Sequence, residues 1–415
     1  MPVRATKRGA ERTPLDGSWD VVICGASFAG LAVAREIARP PTHDARVLVL
    51  DRYEVGERQT SACAAPTQWL INLGLDGAIQ QTFSSLLVHA TRGRSYRWSL
   101  PWTFSTFDYR TLCSLLAAQG DFTFETAKVS GRSDFAVRNA SGAAPGDVTP
   151  RNASGAAPGD VTSGDVTVHT DRGDLSAPLV VDALGWRRVL GGGANVQPPL
   201  ARLSRGLEVH PGGNGRDLEL WLDPKYVRAG YGWSFPADAE VRVGVGSFEP
   251  RDHVKEPTLA LAHDVDVPAV KFQGNWIPHQ IRAATDGCVF FVGDSAGHCL
   301  PTTAEGIRTA LYFGIACGRE LATVLAGECT REEALRRYCT FSREHAWKFG
   351  ALLQVQNAVG RLNPTPLMPL VLRALTSRRL AHWAFEHYLA IAPPSFALAG
   401  EPFPSPQARA AAAAA

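Results

Sequence analysis

The sequence predicts an α/β fold, mixed α+β in its detail. The opening domain is built on a mostly parallel sheet, a second domain on an antiparallel sheet, and the C-terminal region is helical. Three observations carry this. Four apolar residues, Val21–Val22–Ile23–Cys24, run into the small-residue turn Gly25–Ala26–Ser27–Phe28–Ala29–Gly30 and then into a helical pattern with Leu31, Ala34, Ile37 and Ala38 on one face. Alternating stretches rich in aromatic residues follow at 86–107 and within 190–280. Helical periodicity dominates from residue 308 to 395.

The first stretch reads as strand, tight turn, helix, the opening of a Rossmann-like dinucleotide-binding unit. Gly25 supplies the dihedral angles of the turn, and Gly30 lets helix and strand pack closely. The helix N-terminus offers free N–H groups and a positive dipole end to a pyrophosphate. Ser27 stands where the middle glycine usually does; it is small, and its hydroxyl is able to bond a phosphate oxygen. The next apolar run, Val47–Leu48–Val49–Leu50, ends in Asp51. A carboxylate there accepts ribose hydroxyls and repels a 2′-phosphate, so the site reads as FAD or NAD and not NADP.

Composition bounds the function. A chain of 415 residues buries a core large enough for two joined domains. Its net charge of +2, with no basic run interleaved with aromatics, excludes nucleic acid as the main partner. The eight cysteines are scattered without a C-x-x-C pair, which argues against a metal or iron–sulfur site and a disulfide framework. Reduced thiols fit a cytoplasmic protein. No apolar run reaches the roughly 18–20 residues of a membrane span, and no signal peptide is expected.

In chain order, residues 1–16 and 404–415 are expected to be disordered tails. Residues 17–85, 108–189 and 281–330 form the cofactor domain, 86–107 and 190–280 the substrate domain, and 331–403 the C-terminal helices. The loop after Asp51 holds Cys63, either a packed thiol or a group beside a bound ring. Tyr96, Trp98, Leu100, Trp102 and Phe104 share one strand face. Asp108–Tyr109–Arg110 opens a helix, and Arg110, placed unfavourably for the helix dipole, suits a bound anion. A twelve-residue Gly/Ala/Pro/Ser-rich segment starting at Arg138 is repeated word for word from Arg151. It is expected to be a mobile loop, 138–162, between two strands. Leu179–Val180–Val181–Asp182 is a further strand. Tyr231, Trp233 and Phe235 line one face of another, as core or as the wall of an apolar pocket.

The second strong signal is late. A buried strand ends at Gly293–Asp294, and a loop through His298 and Pro301 leads to a helix near Gly306–Ile307. Asp294 suits a ribityl hydroxyl, and the helix start suits an anion.

Together, Gly25–Gly30, Asp51, Asp182–Gly185, Gly293–Asp294–Ser295–Ala296–Gly297, Pro301 and Glu305–Gly306–Ile307 resemble the FAD-dependent oxidoreductases of the para-hydroxybenzoate-hydroxylase-like superfamily. Tyr231–Gly232–Trp233–Ser234–Phe235–Pro236 with Gly244–Val245–Gly246 resembles the Y-x-W-x-F-P…G-x-G signature of the geranylgeranyl reductase family. The resemblance spans residues 18–330. It implies FAD held between the Rossmann-like and substrate domains. By position, Gly25, Ser27, Phe28, Ala29 and Gly30 would hold the pyrophosphate, and Asp51 the adenosine ribose in place of the more usual glutamate. Arg52 would lie beside the adenine, Val129 would contact it through its backbone, and Arg110 would reach the FAD. Gly293, Asp294 and Pro301 would hold the ribityl–phosphate region, and Gly306 and Ile307 the pyrimidine edge. Tyr231, Trp233 and Phe235 would line the substrate channel. Two departures stand out: Ser61–Ala62–Cys63–Ala64 replaces a Cys–Gly pair, and Thr303–Ala304–Glu305 replaces a glycine-richer run.

The implied activity is hydride transfer between FAD and an apolar, prenyl-like or natural-product substrate, with Cys63 or His298 as the acid. The alternative is a monooxygenase using O2 through a flavin hydroperoxide. Halogenation is disfavoured, because no lysine lies between Lys7 and Lys128. A non-catalytic flavin-binding protein is the third reading. With one dinucleotide fingerprint only, electrons would come from NAD(P)H bound transiently, or from a separate reductase or ferredoxin.

Overall fold

A computed structural model describes residues 13–398 apart from 16, 40–43, 60, 135–163, 193–202 and 364–365. The duplicated segment 138–162 and the tail from 404 lie outside the described residues.

The first sheet has six strands in the order Thr285–Asp286, Val289–Phe291, Leu179–Asp182, Val21–Cys24, Val47–Asp51, Thr123–Thr126. All neighbours are parallel except the terminal hairpin of Thr285–Asp286 with Val289–Phe291. Parallel strands are covered on both faces and so are largely apolar, as Val21–Cys24 is and as Leu179–Asp182 is up to its final aspartate, every residue buried. One face packs Val21, Ile23, Val47 and Val49 against the helices Phe28–Ile37 and Ile307–Leu325. The other packs Val22, Leu48, Leu50 and Val180 against an antiparallel meander of Val129–Asp134, Val166–Thr170 and Gly173–Ala177. From Val21–Cys24 the chain leaves to Val47–Asp51 on one side, while Leu179–Asp182 lies on the other. That is a reversal of strand order, where open α/β sheets bind ligands beyond the carboxyl ends of their strands.

The second sheet has eight strands, in the order Gln273–Pro278, Leu203–Val209, Glu240–Ser247, Gly230–Ala237, Leu218–Leu222, Ile79–Ala90, Arg94–Phe107, Ala64–Pro66. It is antiparallel except where Leu218–Leu222 runs parallel to Ile79–Ala90. The expected boundary at residue 86 falls inside the strand Ile79–Ala90, and Ala64–Pro66 joins this sheet rather than the first. Periodicity across 86–107 revealed one hairpin arm well; the other arm, with its register shifts near Gln81 and Ser85, lacks a regular alternation.

The helix Lys255–Asp264 covers one face of this sheet through Leu261, Val209, Val243 and Val245. The C-terminal helices Arg331–Glu344, Ala346–Leu362, Leu367–Ala374 and Arg378–Leu389 close the molecule. Thr330 caps the first of them by accepting the Glu333 N–H at 3.2 Å. Leu367–Ala374 buries Met368 and Leu372 against Val88, Ala90 and Trp98.

Candidate functional site

The carboxyl ends of four parallel strands converge on one edge of the first sheet. Gly25, at φ +115°, follows the strand Val21–Cys24; a Cβ there would stand 2.3 Å from the Ala183 carbonyl oxygen. A Cβ on Gly30 would stand 1.9 Å from the Gly25 carbonyl oxygen, so the helix Phe28–Ile37 begins against its own turn. Ser27 stands at the N-cap position without capping the helix; its hydroxyl instead meets the Tyr109 hydroxyl at 3.2 Å. The start of this helix therefore has no side-chain cap, the condition in which its N–H groups and dipole favour an anion.

Asp51 is half-buried at the tip of its strand. It accepts the Ala26 N–H at 2.9 Å on one oxygen and the Tyr53 N–H at 3.0 Å on the other. Each oxygen keeps a lone pair for a further donor. Burial raises its pKa, and the two N–H donors oppose that. Arg52 is exposed, its guanidinium over the Tyr53 ring. Arg110 is exposed at the start of the helix Tyr109–Ala117, and the turn at Gly56 packs on its backbone. Val129 is buried in the meander, paired with Thr170.

The late motif meets the early one. A Cβ on Gly293, at φ +60°, would lie 3.0 Å from the Ala29 Cβ. Val292 N–H donates to the Asp182 carbonyl at 3.0 Å. The buried Asp182 carboxylate accepts from Ser295 Oγ at 2.7 Å and from the N–H groups of Leu184 and Leu190, locking two strand ends together. Asp294 is partly exposed; burial pushes its carboxyl up to about 6, and Arg282 pulls it back. Gly306, at the N-cap of Ile307–Leu325, stands beside Asp294: a Cβ there would be 3.6 Å from Asp294 Oδ1.

The loop between Pro301 and Gly306 places Thr302 and Ala304 at φ +72° and +52°, conformations that favour glycine. Neighbours hold them there. The Thr302 N–H donates to Gln356 Oε1 at 2.9 Å and its hydroxyl to the Leu352 carbonyl at 2.7 Å. Glu305 receives a two-pronged ion pair from the fully buried Arg308, both contacts at 2.8 Å, and the Tyr388 hydroxyl. So the C-terminal helices do for this loop what glycines would do without them.

Tyr231, Trp233 and Phe235 share one half-exposed face of their strand, while Gly232 and Ser234 are buried on the other. The Trp233 indole lies across the neighbouring strand: a Cβ on Gly244 would meet it at 2.3 Å, which is the physical content of the paired glycines at 244 and 246. Its N–H donates to Glu208 Oε2 at 3.1 Å. Tyr231 donates its hydroxyl to the Thr303 carbonyl, joining the second sheet to the late loop.

Cys63 and His298 are both fully buried. Cys63 sits at φ +53°, its thiol directed to the Ser61 carbonyl at 3.2 Å, and burial raises its pKa well above that of a free thiol. Arg242 fixes this turn by donating to the carbonyls of Ala62, Cys63 and Phe107. His298 points into the C-terminal helices, stacked 3.7 Å from the Phe313 ring and bonded to Ser342 Oγ at 2.9 Å. Burial holds its imidazole neutral. It is not directed at the Tyr231–Phe235 face.

Sequence reasoning missed Tyr109, Glu208 and Arg242. The signal was present for two of them: an ionisable residue inside an apolar strand, as in Leu207–Glu208–Val209 and Val241–Arg242–Val243, marks a buried polar partner.

No model of a protein family matches the chain. A digeranylgeranylglycerophospholipid reductase of Methanococcus vannielii is 31% identical over 129 residues, 29% of this chain and 33% of the relative. That of Methanocaldococcus jannaschii is 27% identical over 141 residues, 32% and 34% of the two chains. The chain thus spans about a third of the length of these curated relatives. A geranylgeranyl bacteriochlorophyll reductase-like protein of Thermoplasma acidophilum shares the fold with a TM-score of 0.71 at 15% identity, over 91% of this chain and 97% of the other. PqsL of Pseudomonas aeruginosa, described as a probable FAD-dependent monooxygenase, gives 0.57 at 16% identity, over 90% and 100%. The flavin-dependent brominase Bmp2 gives 0.57 at 15% identity, over 90% and 99%. The fold is that of the Rossmann-type flavoenzymes. The chain thus shares its fold with these flavoenzymes and a stretch of sequence similarity with the two reductases.

Proposed function

We propose that the chain binds FAD along the edge where Gly25 and Gly293 meet, and reduces a carbon–carbon double bond of an apolar, prenyl-like substrate lying on the Tyr231–Trp233–Phe235 face. The observation that carries this reading is the Tyr231 hydroxyl on the Thr303 carbonyl, which sets an aromatic strand face against the late loop of a dinucleotide edge. The edge fits the cofactor: Cβ atoms at Gly25 and Gly30 would close the cradle, and the helix start behind it has no side-chain cap. Ser27, Phe28, Ala29 and Gly30 hold the pyrophosphate, Asp51 the ribose, and Arg52, Arg110 and Val129 the adenosine half. Asp294, Pro301, Gly306 and Ile307 hold the flavin half.

Reduced FAD supplies a hydride when bound. Tyr231, Trp233 and Phe235 exclude water and orient the apolar chain. The Cys63 thiol, which burial keeps protonated at neutral pH, would hold the proton that the substrate takes and would be reprotonated from solvent before the next turnover. Cys63 stands at positive φ in a turn whose Ala62 and Cys63 carbonyls are both held by the buried Arg242, the over-determined kind of position that functional sites use. His298 serves as packing for the late loop. NAD(P)H visiting transiently, or a separate reductase or ferredoxin, returns the electrons.

The test is anaerobic. The yellow protein is reduced with dithionite and offered prenyl alkenes. Reoxidation with formation of the saturated product supports the reading. No reoxidation by alkenes, but substrate-dependent O2 uptake with labelled oxygen in the product, replaces it with monooxygenation.

A further inference from the structure

The C-terminal helices present an apolar outer surface that the flavin reading does not use. Of the exposed large hydrophobic residues among those described, most lie on this one region, including Trp347 at 71%, Leu370 at 61%, Trp383 at 58% and Leu367 at 54% exposure. The helix Leu367–Ala374 has two apolar faces. Met368 and Leu372 are buried in the molecule, whereas Leu367, Leu370 and Val371, at positions i, i+3 and i+4, face outward. On Arg378–Leu389 the outward pair is Leu380 and Trp383, while Phe385 packs on Trp98 and Trp102 inside. A soluble protein rarely exposes so many large apolar side chains on two consecutive helices without a use for them.

The charge of the segment that carries these residues selects their occupant. From residue 346 to 389 the sequence carries five basic residues, Lys348, Arg361, Arg373, Arg378 and Arg379, against one acidic residue, Glu386. The segment is therefore +4 in a chain of net charge +2. Two such surfaces repel each other, which disfavours a second copy, and an anionic surface attracts them. Outward leucines and tryptophans beside arginines match a helix that lies in the headgroup region of a bilayer. No helix among the described residues is long and apolar enough to cross a membrane, so the contact is one of lying on it.

We propose that the outer face of helices Leu367–Ala374 and Arg378–Leu389 docks the protein on an anionic lipid surface. The inner side of Arg378–Leu389 reaches the late loop, where Tyr388 donates to Glu305. The docked face and the contact with the late loop thus belong to one helix. The proposal stands on exposure and charge alone and does not require the flavin reading.

The test uses the full chain and sedimentation with vesicles of phosphatidylcholine alone or mixed with phosphatidylglycerol. The expected result is binding to the anionic vesicles, weakened several-fold by raising salt through the range where a Debye length falls from about 30 to about 8 Å. The double variant Leu370→Glu, Trp383→Glu should lose that binding by more than tenfold. Hydrogen exchange of the unaltered protein provides a readout independent of any variant: anionic vesicles should protect residues 367–389. Absence of sedimentation with anionic vesicles overturns the proposal. So does a stable dimer in solution that the double variant dissociates, because the patch would then be covered by a second copy.

Discussion

Ala29 and Gly293, from the first and last thirds of the chain, meet so closely that a methyl group on Gly293 would stand 3.0 Å from the Ala29 Cβ. This contact brings the turns that follow two parallel strands together on one sheet edge. Gly293→Val fills the gap with a branched side chain at φ +60° and pushes the two turns apart. FAD affinity should fall at least tenfold, about 1.4 kcal/mol. Flavin fluorescence titration measures it, with circular dichroism showing that the fold is retained. Unchanged affinity would separate this contact from cofactor binding.

Asp294 sets a pH dependence of known sign. Burial raises its pKa to about 6 in the folded chain, against about 3.9 unfolded. Its stabilising contribution is therefore complete below about pH 4 and lost as pH rises through about 6. Asp294→Asn should remove that loss, on the order of 2 kcal/mol for a partly hydrated carboxyl. Urea unfolding at pH 4 and pH 7 should show the variant gaining on the parent only at the higher pH.

His210 acts in a different window. It is buried between Glu208, at 3.0 Å, and Glu240, at 3.3 Å. Burial lowers its pKa, but the hydrogen bonds its ring donates to the two carboxylates outweigh this and leave it raised. The stability it contributes is present below about pH 6.5 and lost as pH rises through the raised value. His210→Gln should flatten the stability profile above neutrality and leave the Asp294 window between pH 4 and 6 untouched. An unchanged slope above neutrality would show that the imidazole does not titrate there.

Gly244 and Trp233 predict a separation of substrate from cofactor. Gly244→Val displaces the indole, breaks its 3.1 Å bond to Glu208 and leaves one oxygen of that buried carboxylate without its donor, the other staying on His210. The cost should be about 1–3 kcal/mol of stability. With it should come a raised KM for an apolar substrate at unchanged FAD content. Loss of FAD with retained KM would contradict the placement of this face.

The cysteines report burial directly. Six of the eight are buried; Cys329 and Cys339 are intermediate. Brief alkylation of the native protein should label those two, and Cys63 only after unfolding, as peptide mass spectrometry would show. Cys63→Ser should retain FAD while slowing turnover, and His298→Asn should cost stability rather than change the pH profile of the reaction.

The strands and turns of the cofactor edge were legible because their signals are local. A glycine at a tight turn, an acid at a strand tip and a run of buried apolar residues each reveal themselves within a few positions, as at Gly25, Asp51 and Val289–Phe291. What could not be read depends on distant partners. Tyr109 matters because it meets Ser27, and Thr302 and Ala304 hold glycine-like conformations because Gln356, Leu352 and Tyr388 arrive from the C-terminal helices. His298 has the chemistry of an acid and the address of a cofactor loop. Only its stacking on Phe313 shows which way it points.

The central claim is that one FAD lies between the Gly25 and Gly293 turns. Titration of the purified full chain with FAD, followed by flavin absorbance after removal of free cofactor, tests it most directly. The account predicts saturable binding of one FAD per chain, lost in Gly293→Val. A folded chain that takes up no FAD at any concentration tried would contradict it.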